Sequence, residues 1–297
     1  MNKSFTLIEI LVVIVVIGVL SAFILVGMSS ITSKSSIAKG LAYANSMRNA
    51  LLLNLVSEWK LDGNGNDSWG VNNAATNTAT LITSGCVNGS CYSFDGSDDV
   101  IDFGNNASLS MGTRDHTASI WVKFDNRTAP QNETLLACGA GCGAGANCGG
   151  YWIRRYNGDS SLIASFADGT ASSAVGDLSA GVLFANTWYN VVVVFDRDGA
   201  MQAYVDGKLQ SGYSVSISSR QQSVSNYKAL SIGAWSSGDS SLTGDLDEIK
   251  LYHAILSVSS INQNYYTGVN NLLVNGEING EDFSQRIVEL KYNLVNK

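Results

Sequence analysis

An uncharged apolar segment near the N-terminus constrains this chain more than any other feature. Residues 10–33 contain no charged side chain, and most of residues 10–28 are aliphatic. A helix of this length can cross a bilayer. Glu9 stands inside the start of the segment, where a carboxylate without a partner is costly. The segment is longer than the apolar core of a secretory signal peptide, and a simple membrane anchor does not explain Glu9.

The residues around Glu9 resemble the N-terminus of the type IV pilins, which are subunits of bacterial filaments. The similarity lies in residues 3–9, Lys-Ser-Phe-Thr-Leu-Ile-Glu, with Ser4 where the family usually has glycine. The resemblance implies that a prepilin peptidase removes a leader of residues 1–4 and that the new Phe5 amine is methylated. It also implies that Glu9 pairs with the Phe5 amine of a neighbouring subunit, because two charges that are costly alone become tolerable together.

Apolar residues at helical spacing continue beyond this segment as far as Val56, and Asp62 followed by Gly63 interrupts the pattern. The sequence therefore predicts a helix over 5–57. From residue 58 onward, short apolar runs alternate with Gly, Asn, Asp and Ser. Asp206 and Gly207 form a strong hairpin signal between two such runs. Many short strands with polar turns and little intervening helix predict a β-sandwich.

Several motifs in this region resemble laminin-G-like, concanavalin-A-type domains. They are Glu58-Trp59-Lys60-Leu61-Asp62-Gly63, Phe94-Asp95-Gly96-Ser97-Asp98-Asp99, Ser119-Ile120-Trp121-Val122, Thr187-Trp188-Tyr189, Tyr204-Val205-Asp206-Gly207 and Gly244-Asp245-Leu246-Asp247-Glu248-Ile249. The resemblance implies a two-sheet jelly roll over 58–268. The fold by itself does not fix a function, because it occurs in lectins, adhesion modules, spacers and enzymes.

The C-terminal region has two helical patterns. Ser257 is placed to cap a helix that runs to about Leu273, and a second amphipathic pattern carries Phe283, Ile287 and Leu290. These helices either pack on the sandwich or the N-terminal rod, or they contact a neighbouring subunit. The predicted fold class is thus α+β: a long N-terminal hydrophobic helix, an antiparallel β-sandwich of jelly-roll type, and a short helical tail over 269–297.

The amino-acid composition bears on the location and the partners of the protein. The 297 residues carry a net charge of −7, and only 14% of them are charged. No basic patch with interleaved aromatic residues is present, so nucleic-acid binding is not indicated. A surface built from Ser, Asn, Gly and Thr suits an extracellular location. We expect the cell surface or an extracellular filament, with the cytoplasmic membrane as the location of the precursor.

The five cysteines indicate an oxidising compartment. Cys86 and Cys91 flank a turn-forming Asn-Gly pair, which favours a short disulfide at a hairpin tip. Cys138, Cys142 and Cys148 lie in a glycine-rich loop. A metal site there lacks a fourth ligand, so the preferred interpretation is one disulfide and one free or intermolecular thiol.

Four aspartates are candidate calcium ligands. Asp245 and Asp247 share strand parity with Ile249, so if that face is the core, Asp245 or Asp247 points inward near a sheet end and needs a compensating partner. A structural Ca²⁺ held with Asp62 or Asp67 would supply one, and the laminin-G resemblance makes such an ion an expectation. The alternative is that these carboxylates accept hydrogen bonds from turn amides.

Aromatic residues after the cysteine loop suggest a sugar-binding surface. Tyr151, Trp152 and Tyr156 form the predicted exposed platform for stacking on surface glycans, although aromatic residues in a sandwich more often pack in its interior. Catalysis is not expected, because the acidic residues of 245–248 lack the spacing that glycosidases of this fold use.

The sequence therefore predicts a structural subunit of a type IV pilus-like filament. It would polymerise with itself through the N-terminal helix, depend on prepilin peptidase and the pilus assembly machinery, and display the laminin-G-like domain for adhesion or surface interaction. A minor pilin or tip adhesin, a pseudopilin with a carbohydrate-binding head, and a tethered carbohydrate-binding protein are the alternatives.

Overall fold

The computed structural model describes residues 52–125, 131–139, 149–156, 161–170, 174–177, 183–210, 214–224, 229–235 and 237–295. The predicted leader and nearly all of the predicted N-terminal helix, including Ser4, Phe5 and Glu9, lie outside these residues, as do Cys142 and Cys148. Residues from Asn54 to Lys297 belong to one compact unit. Within the described residues, no helix is both long and apolar enough to span a membrane.

The compact unit is an antiparallel β-sandwich followed by two α-helices. Its strands are β1 Leu55–Trp59, β2 Thr76–Asn77, β3 Thr80–Ile82, β4 Cys91–Asp95, β5 Ile101–Asp102, β6 His116–Phe124, β7 Glu133–Gly139, β8 Gly149–Arg155, β9 Leu162–Asp168, β10 Ala174–Asp177, β11 Trp188–Phe195, β12 Ala200–Val205, β13 Lys208–Leu209, β14 Val215–Ser216, β15 Leu230–Ile232 and β16 Thr243–Tyr252. A 3₁₀ helix spans Ala107–Leu109, and α1 (Val258–Val274) and α2 (Gly280–Val295) follow the last strand.

The strands form two sheets. The nine-stranded sheet has the order β13-β12-β11-β6-β16-β4-β3, with β1 added on β16 and β14 on β12. The seven-stranded sheet has the order β10-β9-β8-β7-β15-β5-β2. Alternating residues such as Ile120, Val122 and Phe124 point into the shared core, as their spacing predicts. The sandwich and its C-terminal helices are confirmed.

The C-terminal helices cover the outer face of the nine-stranded sheet. Trp121 and Trp188 of that face are buried in a second apolar cluster with Tyr265 and Val269 of α1 and Leu290 of α2. This covering explains why every residue of β11 is buried, as expected for a strand enclosed on both faces. The predicted cap is also present, because Ser257 accepts a hydrogen bond from the backbone N–H of Ser260 at the start of α1.

The predicted end of the N-terminal helix at residue 57 is wrong. Residues 55–57 belong to β1, in which Leu55, Ser57 and Trp59 are buried in alternation and the strand pairs with β16. A short apolar run fits both helical and strand periodicity, and here pairing with an available strand decides the outcome. The predicted boundary between residues 268 and 269 falls inside α1.

The predicted hairpin turn is present between β12 and β13. Asp206 has φ +53° and Gly207 has φ +74°, so both central residues adopt the left-handed conformation that a tight hairpin of this kind requires. The Asp206 side chain also accepts a hydrogen bond from the backbone N–H of Asn190 on β11.

Candidate functional site

No three of the four aspartates predicted as calcium ligands form a group that could hold a metal ion among the described residues. Asp62 accepts a hydrogen bond from the backbone N–H of Ser90. Asp247 accepts hydrogen bonds from the backbone N–H groups of Val87 and Asn88. Both carboxylates therefore hold the loop between Cys86 and Cys91. The interpretation as hydrogen-bond acceptors in turns describes them better than a shared ion does.

The inward orientation predicted for Asp245 or Asp247 is wrong. A bulge interrupts the pairing of β16 with β6 between Asp247 and Lys250, and Glu248 within it has φ +47°. The bulge changes strand parity, so Leu246 and Ile249 both face the core. Asp245 instead forms a 2.6 Å salt bridge with the Nζ of Lys123.

Asp67 organises a separate turn next to β1. Its carboxylate accepts hydrogen bonds from the backbone N–H groups of Glu58, Trp69, Gly70 and Asn72. Burial alone would raise the pKa of this carboxyl, but the four N–H groups outweigh that effect and lower it below the usual value. Both carboxylate oxygens of Asp67 are thus used in hydrogen bonds that hold the turn.

The predicted disulfide between Cys86 and Cys91 is confirmed, with Cα atoms 5.6 Å apart. It lies under α1, because Cys86, Val87 and Cys91 belong to the same apolar cluster as Tyr265 and Leu272. Cys138 is buried in β7, and burial raises the pKa of its thiol to about 12.

The predicted aromatic platform is divided by strand alternation. Tyr151 is buried in the core, with its ring 4.7 Å from that of His116, so its prediction as an exposed stacking residue is wrong. Trp152 points to the opposite face of the sheet and is partly exposed. Tyr156, directly after β8, is exposed. Adjacent residues of a strand cannot share one face.

The turn after β4 contains the acidic cluster of the described residues that could hold a metal ion. Single carboxylate oxygens of Asp95, Asp98 and Asp99 all lie within 4.8 Å of one another. The turn is ordered by its own hydrogen bonds, since Asp95 accepts from the backbone N–H of Ser97 and Asp99 accepts from that of Asp95. Burial raises the pKa of Asp99, and the neighbouring carboxylates of Asp95 and Asp98 raise it further.

This donor set suits a hard cation such as Ca²⁺, which prefers several oxygen ligands. No Lys, Arg or His of the described residues forms a salt bridge with the cluster. Residues 94–99 carry part of the laminin-G resemblance and were not among the predicted metal ligands. Their Asp-Gly-Ser-Asp-Asp pattern, three carboxylates within five residues of a turn, was the signal that could have indicated the cluster.

The strand order of the two sheets describes an antiparallel two-sheet sandwich. Residues 95–262 match the family described as the concanavalin A-like lectin/glucanases superfamily, which is more than half of the chain. The protein belongs to this family. Residues 1–25 match the prokaryotic N-terminal methylation motif. The predicted combination of a pilin-like N-terminus with a laminin-G-like domain is confirmed.

Solved structures share the fold. The binding domain of Paraclostridial Mosquitocidal Protein 1 superposes with a TM-score of 0.57 at 16% identity, covering 74% of this chain and 53% of the other. The botulinum neurotoxin serotype D ligand binding domain, solved with N-acetylneuraminic acid, gives 0.57 at 17% identity, covering 75% and 53%. This chain thus spans about half the length of these relatives, and at such identities the likeness shows the fold alone. None of the curated proteins compared with the chain matches it.

Proposed function

We propose that the protein is a structural subunit of a type IV pilus-like extracellular filament that displays its sandwich for adhesion or surface interaction. The observation that carries this proposal is the methylation motif at residues 1–25, which precedes a compact unit of the concanavalin A-like family. The motif and the binding-type fold support a structural or binding role without catalysis.

In this proposal, prepilin peptidase cuts after Ser4 while the precursor lies in the cytoplasmic membrane. The new Phe5 amine carries a positive charge at the edge of the apolar segment, and Glu9 of an adjacent subunit neutralises it. An unpaired buried charge costs several kcal/mol, on the order of 3–5 once its partner is removed. The pair would therefore select the register in which subunits of the homopolymer assemble.

The test is the intact mass of the subunit in material sheared from native cells. A mass beginning at methylated Phe5, recovered in abundance from fibres, is the expected result. A Glu9→Gln variant should abolish or strongly reduce fibres, whereas Glu281→Gln, which removes an exposed carboxylate of α2, should leave them intact. A subunit that keeps Met1 and remains in the membrane would contradict the proposal. Trace amounts in fibres made mainly of another protein would instead identify a minor pilin.

We also propose that the cluster of Asp95, Asp98 and Asp99 holds a structural Ca²⁺. The support is its oxygen-only donor set and the mutual repulsion of its carboxylates, which a cation would relieve. Bound Ca²⁺ should raise the melting temperature of the full-length protein, because a ligand that binds only the folded state stabilises it. Asp98→Asn should remove most of this increase, and Glu281→Gln should preserve it. A melting curve insensitive to millimolar Ca²⁺ and to chelator would refute the site.

A further inference from the structure

The outer face of the seven-stranded sheet carries an arginine between two indole rings. Trp152 and Arg154 are two residues apart on β8, so both point away from the core, and Trp235 follows β15. The Arg154 Cζ atom lies 4.6 Å from the centre of the Trp152 ring and 4.2 Å from that of the Trp235 ring. All three side chains are partly exposed. We refer to these three residues as the Trp–Arg–Trp cluster.

Arg154 forms no salt bridge with any residue that the structure describes, and its Nε is buried without a hydrogen-bond partner there. Burial lowers its pKa to about 10. The next residue does have an ionic partner: Arg155 points into the interior and forms a salt bridge with Glu133. A desolvated cation without an anion destabilises a fold, whereas contact with two indole faces compensates only in part.

A second unpaired group lies beside Arg154. Thr134 of β7 is the direct cross-strand partner of Arg154, and its side chain is on the same face because Glu133, its neighbour, pairs inward with Arg155. The Thr134 Oγ1 atom is buried and has no hydrogen-bond partner among the described residues. Thr134 is 0% exposed, so its hydroxyl cannot contact a ligand from solvent, and Arg154 is the partly exposed donor of this pair.

We propose that the Trp–Arg–Trp cluster binds the carboxylate of an acidic saccharide. A guanidinium fork matches a carboxylate in two parallel hydrogen bonds, and Arg154 is partly exposed. The indoles present flat apolar surface of the kind that packs on the C–H face of a sugar ring. The inference deepens the adhesive part of the proposed function, on which it rests, by naming the class of ligand.

A saccharide fits this arrangement better than an acidic peptide. In a uronic or sialic acid the carboxylate is attached directly to the ring, so a carboxylate held by Arg154 brings the ring next to both indoles. An aspartate or glutamate side chain would instead bring polar backbone to the same apolar surface, which leaves amide groups poorly solvated. General electrostatic attraction of a polyanion would not explain binding of an acidic saccharide either, since the chain carries a net charge of −7.

The experiment measures binding of the full-length protein, solubilised in detergent, to polygalacturonate oligomers and to sialyllactose. Methyl-esterified polygalacturonate is the matched ligand without charge, and poly-glutamate is the peptide polyanion. We expect at least one acidic saccharide to bind and its methyl ester or neutral counterpart to bind about tenfold more weakly or worse, as loss of a charge-assisted hydrogen bond predicts.

Arg154→Gln should reduce binding by about tenfold or more, while Arg114→Gln, which removes an exposed arginine elsewhere, should not. Arg154→Gln removes an unpaired cation and should fold normally. If it does not, Trp235→Leu is the replacement, and it should also weaken binding. Absence of binding to both acidic saccharides, equal binding by Arg154→Gln, or equal or tighter binding of poly-glutamate would each overturn the inference.

The saccharide-binding result and the filament-assembly result can be told apart. Saccharide binding by a protein that forms no fibres would contradict the filament proposal and leave the inference intact. Fibres of mature subunit that fail to bind either saccharide would do the opposite.

Discussion

The two outer faces of the sandwich both carry tryptophans, but in different surroundings. On the nine-stranded sheet, Trp121 stacks with Tyr265 of α1 at a ring distance of 5.9 Å, and the Trp188 Nε1 donates a 2.8 Å hydrogen bond to the carbonyl of Gly85. On the seven-stranded sheet, Trp152 and Trp235 have no described helix over them and enclose an unpaired arginine. The tryptophans of the first face therefore find their packing and hydrogen-bond partners within the chain. The second contains buried polar atoms, the Arg154 Nε and the Thr134 Oγ1, that have no hydrogen-bond partner among the described residues.

The largest expected effect comes from breaking the covered face. Trp121→Ala removes a large side chain that is only 3% exposed and should lower the free energy of unfolding by about 3–5 kcal/mol. Trp152→Ala on the other face should cost less, about 1–2 kcal/mol, because part of this side chain remains exposed. Urea unfolding of both variants measures the difference. Equal losses would show that the second face is also structural.

A smaller effect tests how closely α1 approaches the sheet. A Cβ on Gly268 would lie 2.2 Å from the Cζ2 of Trp121, so Gly268→Ala must displace the helix or the indole and should cost about 1–3 kcal/mol. Gly280, at the start of α2, has no heavy atom within 4 Å of a built Cβ. Gly280→Ala should therefore be neutral or stabilising by up to about 1 kcal/mol. If both variants gained stability, the close packing of α1 on Trp121 would be wrong.

The smallest effect concerns the interior that the two sheets share. His116 is fully buried and stacked on Phe195 at 4.2 Å, and burial, followed by the charges of His253 and Arg197, lowers its pKa well below the usual value. As pH falls below about 6.5, the unfolded chain takes up a proton that the folded chain excludes, so stability decreases. The slope contributed by His116 is at most about 1.4 kcal/mol per pH unit.

His116→Phe should remove this contribution, and the measurement is urea unfolding of both proteins between pH 7.5 and 5.5. Only the difference in slope counts, because other groups titrate in both proteins. His253→Gln is the control, since His253 is partly exposed and its pKa is lowered less strongly. Parallel slopes for wild type and His116→Phe would mean that the buried imidazole accepts a proton in the folded state.

Much of the fold follows from local patterns in the sequence. The alternation of Ile120, Val122 and Phe124, the hairpin at Asp206 and Gly207, and the cap at Ser257 are each decided by chemistry within a few residues. The disulfide between Cys86 and Cys91 belongs to the same group, because five positions separate its cysteines.

The candidate site was less accessible to sequence analysis because it depends on parity and long-range pairing. The bulge at Glu248 reverses the side on which Asp245 and Asp247 lie, and no local residue marks it. Tyr151 and Trp152 are adjacent aromatics, so the pattern alone could not tell which one faces the core. Arg154 and Thr134 come together only through the register of β7 with β8.

The position of β1 has a mechanical consequence for the proposed filament subunit. Tension transmitted along the chain from residues 1–53 enters the sandwich at β1, since the compact unit begins at Asn54. That strand is bonded to β16, which also pairs with β6 and β4, and its last residue, Trp59, is buried against Phe103 at a ring distance of 4.1 Å. A pulling force therefore acts first on the pairing of β1 with β16, a strand that two further strands hold in the sheet, and the sandwich should resist extraction until β1 and β16 separate.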